Sequence, residues 1–303
     1  MQTEALGQQR FDAIHVMDRE ADIFDLVAHA SEARMRFVVR AAQDRVVLSE
    51  ADELGHLFEV VRRAPSMTTR IIELSERPAG INPKQHKRHP QRRARSARVA
   101  IAGARVALRR PKATNTATDH VLINVVRVWE LDPPAGEPGV EWILLTTEPI
   151  DTSEQLDQVV DWYRARWTIE EFFKALKTGC AIEKRQLESY ESLTAIVAIF
   201  APIAWRRLLL RSLSRACPTA PASAVTNDIQ RRVLAARVPG LDANNMNVEQ
   251  ALFAIARLGG HLKRNGPPGW LTIARGYEDL LLMEVGWRAA LAAQKKPPRS
   301  DQS

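Results

Sequence analysis

Two short apolar runs near the start of the chain flank a segment with helical spacing. Residues 13–18 and 35–42 have the length and composition of buried strands. Between them, Ile23, Leu26 and Val27 recur at helical intervals and predict the buried face of a helix. A strand, a helix and a second strand in this order predict two parallel strands joined by a crossover.

The pattern then changes to alternating runs separated by turn residues. This alternation is typical of an antiparallel, β-rich region, and it extends over residues 45–150. The strand candidates are residues 69–76, 97–110, 120–131 and 140–149. Residues 132–139 (DPPAGEPG) are rich in turn formers, so we expect the last two strands to form a hairpin.

Helical spacing takes over after Pro149. Thr152 and Gln155 have the spacing of a capping box, which predicts the start of a helix. That helix should continue to about Thr178, where Gly179 can end it.

The remainder of the chain is predicted to be helical. The candidate helices are residues 189–215, 224–237, 247–263 and 270–293. The longest apolar run, residues 193–205, is interrupted by Pro202 and is shorter than the roughly 20 residues that cross a bilayer. We therefore expect a buried helix there and no membrane partner.

These patterns together predict an α/β protein in four segments, the last of which is α-helical. The segments are residues 1–44 with the first strands and helix, 45–150 with the antiparallel β-rich insertion, 151–188 with the long helix, and 189–303.

Charge and cysteine content narrow the partners and the compartment. A net charge of +7 and a pI near 9.7 favour a polyanion such as DNA, although many basic proteins bind no nucleic acid. Cys180 and Cys217 match neither a disulfide framework nor a zinc-ligand spacing. The amino-terminal segment lacks a basic region followed by an apolar stretch, so we expect a cytoplasmic protein.

The predicted helix over residues 153–178 carries the most informative chemistry. At about 100° per residue, five reactive or charged side chains share one stripe about 80° wide. They are Tyr163, Arg166, Glu170, Lys174 and Lys177. The apolar face beside the stripe is formed by Trp162, Ile169, Phe172, Phe173 and Leu176.

Phosphoryl transfer on DNA suits this stripe. A carboxylate on the helix can bind a divalent metal while neighbouring cations bind phosphate oxygens. The simpler alternative is a surface helix stabilised by pairs such as Glu170 with Lys174.

The spacing Tyr163-x2-Arg166-x3-Glu170-x6-Lys177 resembles the Y-R-E-K signature of DDE transposases in the insertion-sequence-four family, and the chain is especially similar to the transposon-five type. Further matching blocks occur in the same order along most of the chain. They are residues 17–22 (MDREAD), 36–40 (RFVVR), 141–149 (EWILLTTEP), 177–179 (KTG) and 254–260 (AIARLGG).

The resemblance implies a partial ribonuclease H-like core and a metal-dependent DNA transposase. Asp18 and Glu170 match the second and third catalytic carboxylates, which in the family bind two Mg²⁺ or Mn²⁺ ions. It also implies double-stranded DNA as partner, both transposon ends and target, in a bacterial, nucleoid-associated enzyme. One metal site serves cleavage, hairpin formation and strand transfer in such enzymes.

The resemblance also implies six DNA-binding residues. They are Arg40, Trp142, Tyr163, Arg166, Lys174 and Lys177. Trp142 matches a tryptophan that accommodates a base flipped from the duplex, since an aromatic ring can replace lost stacking. The alternative for Trp142 is a core residue of a strand.

Other acidic and polar residues near the first strand have ordinary structural explanations. Asp18 and Glu20 could simply occupy a strand end and a first helical turn. We expect Asp22 to be structural and His15 to pack within its strand.

Two further regions could bind partners. Residues 83–98 are strongly basic and could follow a DNA backbone or form a solvated loop. Residues 247–260 and 269–287 resemble the family's dimerisation region, which implies a homodimer through the carboxy-terminal helices, although apolar helix faces more often form intramolecular core.

The chain departs from the family at the first catalytic carboxylate, which normally lies far upstream of Asp18. Asp12 cannot take that place, because it lies on the same predicted strand, roughly 20 Å away at about 3.3 Å per residue. We therefore expect a fragment that does not cleave DNA by itself and that has an exposed sheet edge. The alternatives are a non-catalytic regulator that binds DNA or an intact transposase, and a pseudogene remnant.

Overall fold

A computed structural model gives the fold of the chain in two compact units. It describes residues 13–76, 91–114, 116–262, 264 and 266–294. The first unit, Met1–Trp167, contains the sheet and is called the sheet unit. The second, Thr168–Ser303, is called the helical unit. The predicted segment boundaries at residues 44, 150 and 188 thus differ from the division between Trp167 and Thr168.

The sheet unit is built on one eight-stranded, mostly antiparallel sheet in the order β1-β2-β8-β7-β6-β3-β4, with β5 also paired to β6. The strands are β1 Ile14–Met17, β2 Arg36–Arg40, β3 Val46–Ser49, β4 Leu54–His56, β5 Thr68–Leu74, β6 Arg95–Arg109, β7 His120–Glu130 and β8 Glu141–Thr146. The prediction of a mixed α/β protein with an antiparallel sheet and carboxy-terminal helices is confirmed.

Strands β1 and β2 pair in parallel, as their strand–helix–strand pattern predicts. Strand β8 then pairs antiparallel with β2, with Val38 opposite Thr146. The predicted β7–β8 hairpin is also present. The β-rich residues after 45 therefore continue the sheet that β1 and β2 begin, because β8 returns to the edge of β2.

Helices cover both faces of this sheet. Helix α1 (Phe24–Glu32) and helix α2 (Leu57–Arg63) contribute to one apolar cluster, and helix α3 (Ser153–Ala165) contributes to the other. Alternate residues of β2 belong to opposite clusters: Phe37 and Val39 pack in the first cluster, and Val38 packs in the second. The period of two along a strand thus explains why β2 reads as continuously apolar.

The predicted buried face of α1 is right for Val27 and wrong for Ile23 and Leu26. Ile23 and Leu26 are exposed, and Phe24 is buried beside Val27. Ile23 precedes the first helical residue with extended backbone, so its side chain is outside the helical repeat. His15 is likewise exposed on β1, contrary to the expectation that it packs within its strand.

The helix predicted over residues 153–178 is interrupted. Thr152 and Gln155 form the expected capping box of α3, but α3 ends at Ala165 and α4 spans Trp167–Lys174. A π turn, Ala175–Gly179, follows α4, with Cys180 N donating to Ala175 O at 3.0 Å. A single repeat of 100° per residue therefore does not hold from Tyr163 to Lys177.

The helical unit contains the carboxy-terminal helices at nearly the predicted positions. They are α5 Tyr190–Ala216, α6 Asp228–Arg237, α7 Val248–Leu258 and α8 Trp270–Gln294. Helices α7 and α8 approach closely at two glycines. A Cβ atom on Gly276 would lie 1.7 Å from Ile255 O, and one on Gly259 would lie 2.0 Å from Thr272 O. Only glycine permits this backbone contact.

All the buried residues of helix α5 lie in its second half. The prediction of a buried helix is therefore wrong for its first half. The other helices of the helical unit pack around Ala204, Leu208 and Leu210, whereas Ile199 and Trp205 are exposed. In the described part of the chain, α5 is the one helix long and apolar enough to cross a membrane, judged by length and composition. Core helices of soluble proteins pass the same test, so this is weak evidence for a span.

Candidate active site

Asp18 directly follows β1 and begins a 3₁₀ turn, Arg19–Ala21. Its Oδ1 accepts a hydrogen bond from Glu20 N at 3.0 Å, and the residue is exposed. The parallel pairing of β1 with β2 places this acid at the carboxyl end of a parallel strand, where functional groups of such sheets gather. Its geometry suits both a helix-start role and a metal ligand.

Asp22 anchors the segment that carries Asp18. The Asp22 carboxylate is buried and accepts hydrogen bonds from the backbone N–H groups of Ala42 and Gln43 at 2.7 and 2.8 Å. The guanidinium of Arg45, also buried, donates to Asp22 Oδ1 from Nη2 at 2.8 Å. The segment after β1 is therefore held to the residues that follow β2, which agrees with the structural role expected for Asp22.

Three of the predicted DNA-binding residues lie near the start of β8. Arg40 Nη2 donates to Glu141 O at 3.2 Å, one residue before Trp142. The rings of Trp142 and Tyr163 meet edge to face, with centroids 5.5 Å apart and planes inclined by 61°. Trp142 is half-buried, whereas Tyr163 is only 9% exposed and belongs to the apolar cluster under α3.

Glu141, at the start of β8, is hydrogen-bonded to two arginines. The sequence did not predict this group. Arg62 donates to Glu141 Oε2 at 2.6 Å, and Arg127 donates to Glu141 Oε1 at 2.9 Å. The hydrogen bond from Arg62 is the largest influence on the pKa of Glu141 and lowers it, against the opposing effect of burial. No local spacing could reveal a group assembled from three separate elements.

Arg166 occupies the break between α3 and α4. Its backbone N–H bonds to Tyr163 O at 3.3 Å, which tightens the last turn of α3. Its guanidinium carbon lies 5.3 Å from the ring centroid of Trp167, a cation–π distance. The half-buried Arg166 therefore lies at a helix end and not in the middle of a continuous stripe.

In the helical unit, Glu170 is half-buried on α4, and both candidate lysines are exposed and ion-paired. Lys174 Nζ lies 2.9 Å from Glu171 Oε1, and Lys177 Nζ lies 3.0 Å from Glu183 Oε1. Burial opposes ionisation of Glu171, but Lys174, Arg211 and Arg215 together lower its pKa. Exposed pairs of this kind contribute little to stability, so a phosphate can replace the acid at each lysine.

The apolar face predicted beside the stripe is covered unevenly. Leu176 is buried with Ala175 in the core of the helical unit, while Ile169 and Phe173 on α4 are exposed. Helix α4 has no buried residue of its own.

Two other sequence candidates fall partly or wholly outside the described residues. Asp12 lies outside them, as do residues 83–90 of the basic stretch. Arg95 and Arg98, at the end of that stretch, are in β6 and pair with acids, Arg95 with Glu130 and Arg98 with Asp132. These two arginines are thus engaged within the protein.

Asp18 in the sheet unit and Glu170 in the helical unit each offer carboxylate oxygens, which Mg²⁺ and Mn²⁺ prefer as ligands. Within the ranges that the structure describes, no group of three His, Cys, Asp or Glu side chains is placed to hold a metal ion.

The model of the transposase DDE domain family matches residues 4–201, which is more than half of the chain. The protein therefore belongs to the transposase DDE domain family. Members of this family are transposition enzymes that act on DNA and generally use a divalent metal.

Proposed function

We propose that this protein is a part of a cut-and-paste transposase of the insertion-sequence-four family, transposon-five type, that carries two of its three catalytic carboxylates and acts on bacterial nucleoid DNA. The observation that carries the proposal is the family match over residues 4–201 together with the Y-R-E-K spacing inside it. The parallel β1–β2 pair with Asp18 at its end supports a ribonuclease H-like core for residues 1–44 and 151–188.

Asp18 and Glu170 are the proposed metal ligands. Both are carboxylates, neither is fully buried, and their segments are the two that match the family's acidic motifs. Oxygen atoms of DNA phosphate and water would complete the coordination of Mg²⁺ or Mn²⁺. When bound, the metal supplies Lewis-acid stabilisation of phosphoryl transfer.

The proposed DNA contacts are Arg40, Trp142, Tyr163, Arg166, Lys174 and Lys177. Arg40 and Trp142 are half-buried at one corner of the sheet unit, where charge and an aromatic surface are available together. Lys174 and Lys177 present exposed ammonium groups whose partners are exposed or half-buried acids. Tyr163 can contribute its hydroxyl alone, because its ring is packed in the core.

The direct test is the salt dependence of duplex DNA binding by the full chain. Each lost phosphate contact should lower the slope of log affinity against log salt by about 0.9. We expect Lys174→Ala and Lys177→Ala each to lower the slope, and Lys184→Ala, a nearby lysine outside the motif, to leave it closer to wild type. Equal slopes for all four proteins would remove the support for these contacts.

For the polypeptide of this sequence expressed alone, we propose DNA binding without strand cleavage. The support is the sequence argument that Asp12 cannot replace the first carboxylate. A nuclease assay with transposon-end DNA and Mg²⁺ or Mn²⁺ tests this. Robust metal-dependent cleavage that Glu170→Gln abolishes would contradict it.

A second candidate function is regulation of an intact transposase by binding its DNA or forming mixed dimers. It is favoured by the exposed apolar side chains of α8, Leu282 and Val285, which could meet a second subunit. Co-purification of the chain with an intact transposase, combined with inhibition of that enzyme's cleavage, would distinguish this role from catalysis.

A further inference from the structure

Arg207 is a buried cation, and among the described residues its carboxylate partner is an exposed one. Its side chain is 2% exposed within the helical unit, and its carboxylate partner Glu278, 3.1 Å away, is 60% exposed. Among the described residues, Arg207 Nε has no hydrogen-bond partner. Burial of an ion costs several kcal/mol unless its partners compensate, so an apolar side chain would serve general stability at least as well.

The hydrogen bonds of Arg207 connect the π turn to helix α8. Nη1 donates to Gly179 O at 2.7 Å and reaches Cys180 Sγ at 3.5 Å. Nη2 donates to Ala274 O at 3.5 Å and to Glu278 Oε1 at 3.1 Å. The guanidinium therefore links the last residue of the π turn to α8 on the opposite side.

The π turn is the segment that carries Lys177. Ala175 and Leu176 before the lysine are buried, and Gly179 after it is buried and bonded to Arg207. Lys177 itself projects outward, with its side chain 56% exposed. Residues at helix ends have carbonyl groups that no helical N–H satisfies, and Arg207 supplies the donor for Gly179. The backbone beside Lys177 is thus fixed on both sides while its ammonium group remains accessible.

We propose that Arg207 is a positioning residue that holds the π turn so that Lys177 meets a DNA phosphate. π turns are rare and occur frequently at functional sites, because the wider turn re-directs side chains. The proposal rests on the proposed DNA-binding function of Lys177. It assigns to Arg207 no contact with DNA, since its guanidinium lies inside the helical unit.

The experiment is a double-mutant cycle read as the salt slope of duplex DNA binding. The proteins are wild type, Lys177→Ala, Arg207→Met and the double variant, each as the full chain. Arg207→Met should lower the slope by the amount that Lys177→Ala does, about 0.9 for one phosphate, and the double variant should lower it no further. Arg206→Met is the matched control, because it removes an equal charge from an exposed neighbouring position on α5.

A milder variant keeps the test valid if Arg207→Met does not fold. Arg207→Lys is that variant, because it keeps the charge and replaces the two guanidinium nitrogens that donate to Gly179 O and Ala274 O by a single ammonium nitrogen. We expect Arg207→Lys to lower the slope less than Arg207→Met does. Urea unfolding of every variant separates this readout from stability.

The outcomes distinguish the inference from the proposed function. If Lys177→Ala lowers the slope but Arg207→Met and Arg207→Lys do not, or if the effects of Lys177 and Arg207 add, the positioning role is wrong. If Lys177→Ala itself changes neither affinity nor slope, the DNA contact and the positioning role are both wrong. Equal slope losses without additivity support the inference.

Discussion

Trp142 and Tyr163 meet edge to face, with ring centroids 5.5 Å apart. The contact joins the start of β8 to the last turn of α3, and it leaves Trp142 half-buried while Tyr163 is buried. An edge-to-face pair fixes the orientation of both rings. The accessible part of the indole is thereby held in one orientation, and base stacking by Trp142 is a prediction.

The first prediction concerns this indole. Trp142→Ala should weaken binding to a duplex that carries an unpaired base more than binding to a fully paired duplex, by about 1–3 kcal/mol for one stacked base. Fluorescence titrations with the two DNAs measure the difference. Trp129→Ala is the control, since Trp129 is also half-buried but lies on β7 and stacks against Arg127 at 4.2 Å. Equal losses with both DNAs would show that Trp142 is only a core residue.

The second prediction concerns the close contact of α7 and α8. Gly276→Ala should destabilise the helical unit by at least about 3 kcal/mol, because its Cβ would overlap Ile255 O and the helices must separate. Gly286→Ala on the same helix meets no atom within 4 Å and should be neutral or stabilising by about 1 kcal/mol. Thermal unfolding followed by circular dichroism compares the two. Similar melting temperatures for both variants would contradict the helix contact.

The third prediction is a pH dependence at Glu130, whose carboxylate is buried and accepts two hydrogen bonds from Arg95. The Arg95 hydrogen bond lowers the pKa of Glu130 from its usual 4.5, against the opposing effect of burial. Its stabilising effect is therefore fully present above that value and is lost as pH falls through the lowered pKa. Glu130→Gln should cost about 3 kcal/mol near neutral pH, and the difference from wild type should shrink in acid.

Urea unfolding at several pH values measures this dependence. The control is Asp132→Asn, which breaks the exposed pair with Arg98 and should cost less than about 1 kcal/mol. A difference between Glu130→Gln and wild type that stays constant into acid would contradict the ionic role of Glu130.

The fourth prediction concerns the proposed homodimer. Leu282 and Val285 lie one helical turn apart on α8 and are strongly exposed. Replacing both by Asp should shift the chain from dimer to monomer in sedimentation experiments, while circular dichroism shows the helical content of the wild type. Leu122→Asp, a control at another exposed apolar position, should leave the dimer intact. A wild-type chain that is monomeric at all concentrations would refute the dimer.

The sequence predicted six of the eight described strands, most helices and the capping box, because these follow from local periodicity and hydrogen bonding. It did not predict the short strands β3 and β4 or helix α2. It did not predict the break at Arg166 or the π turn at Ala175–Gly179, since both depend on tertiary packing. No glycine or proline marks the interruption at Arg166. The exposure of Ile199 on α5 could not be predicted either, because an apolar sequence does not determine which other residues pack against it.

In the candidate site, too, some residues could be predicted from the sequence and others could not. The motif residues could be named from their spacing, whereas Glu141 and Arg207 could not, because their partners come from distant parts of the chain. The sequence also did not predict that Lys174 pairs with Glu171 and Lys177 with Glu183. The alternative of a surface helix had paired Lys174 with Glu170. Where a lysine has several acidic residues within reach, the sequence does not determine which of them forms the ion pair.

Asp18 and Glu170 are the proposed ligands of a divalent cation, and iron-directed backbone cleavage tests this proposal most directly. Fe²⁺ is bound in place of Mg²⁺ in the presence of duplex DNA, and ascorbate with peroxide then generates radicals that cut the chain beside the ligands. We predict cuts next to both residues, suppressed by excess Mn²⁺ and lost in Asp18→Asn and Glu170→Gln, but retained in Asp25→Asn. Cuts beside neither residue, or cuts that both variants leave unchanged, would contradict the account.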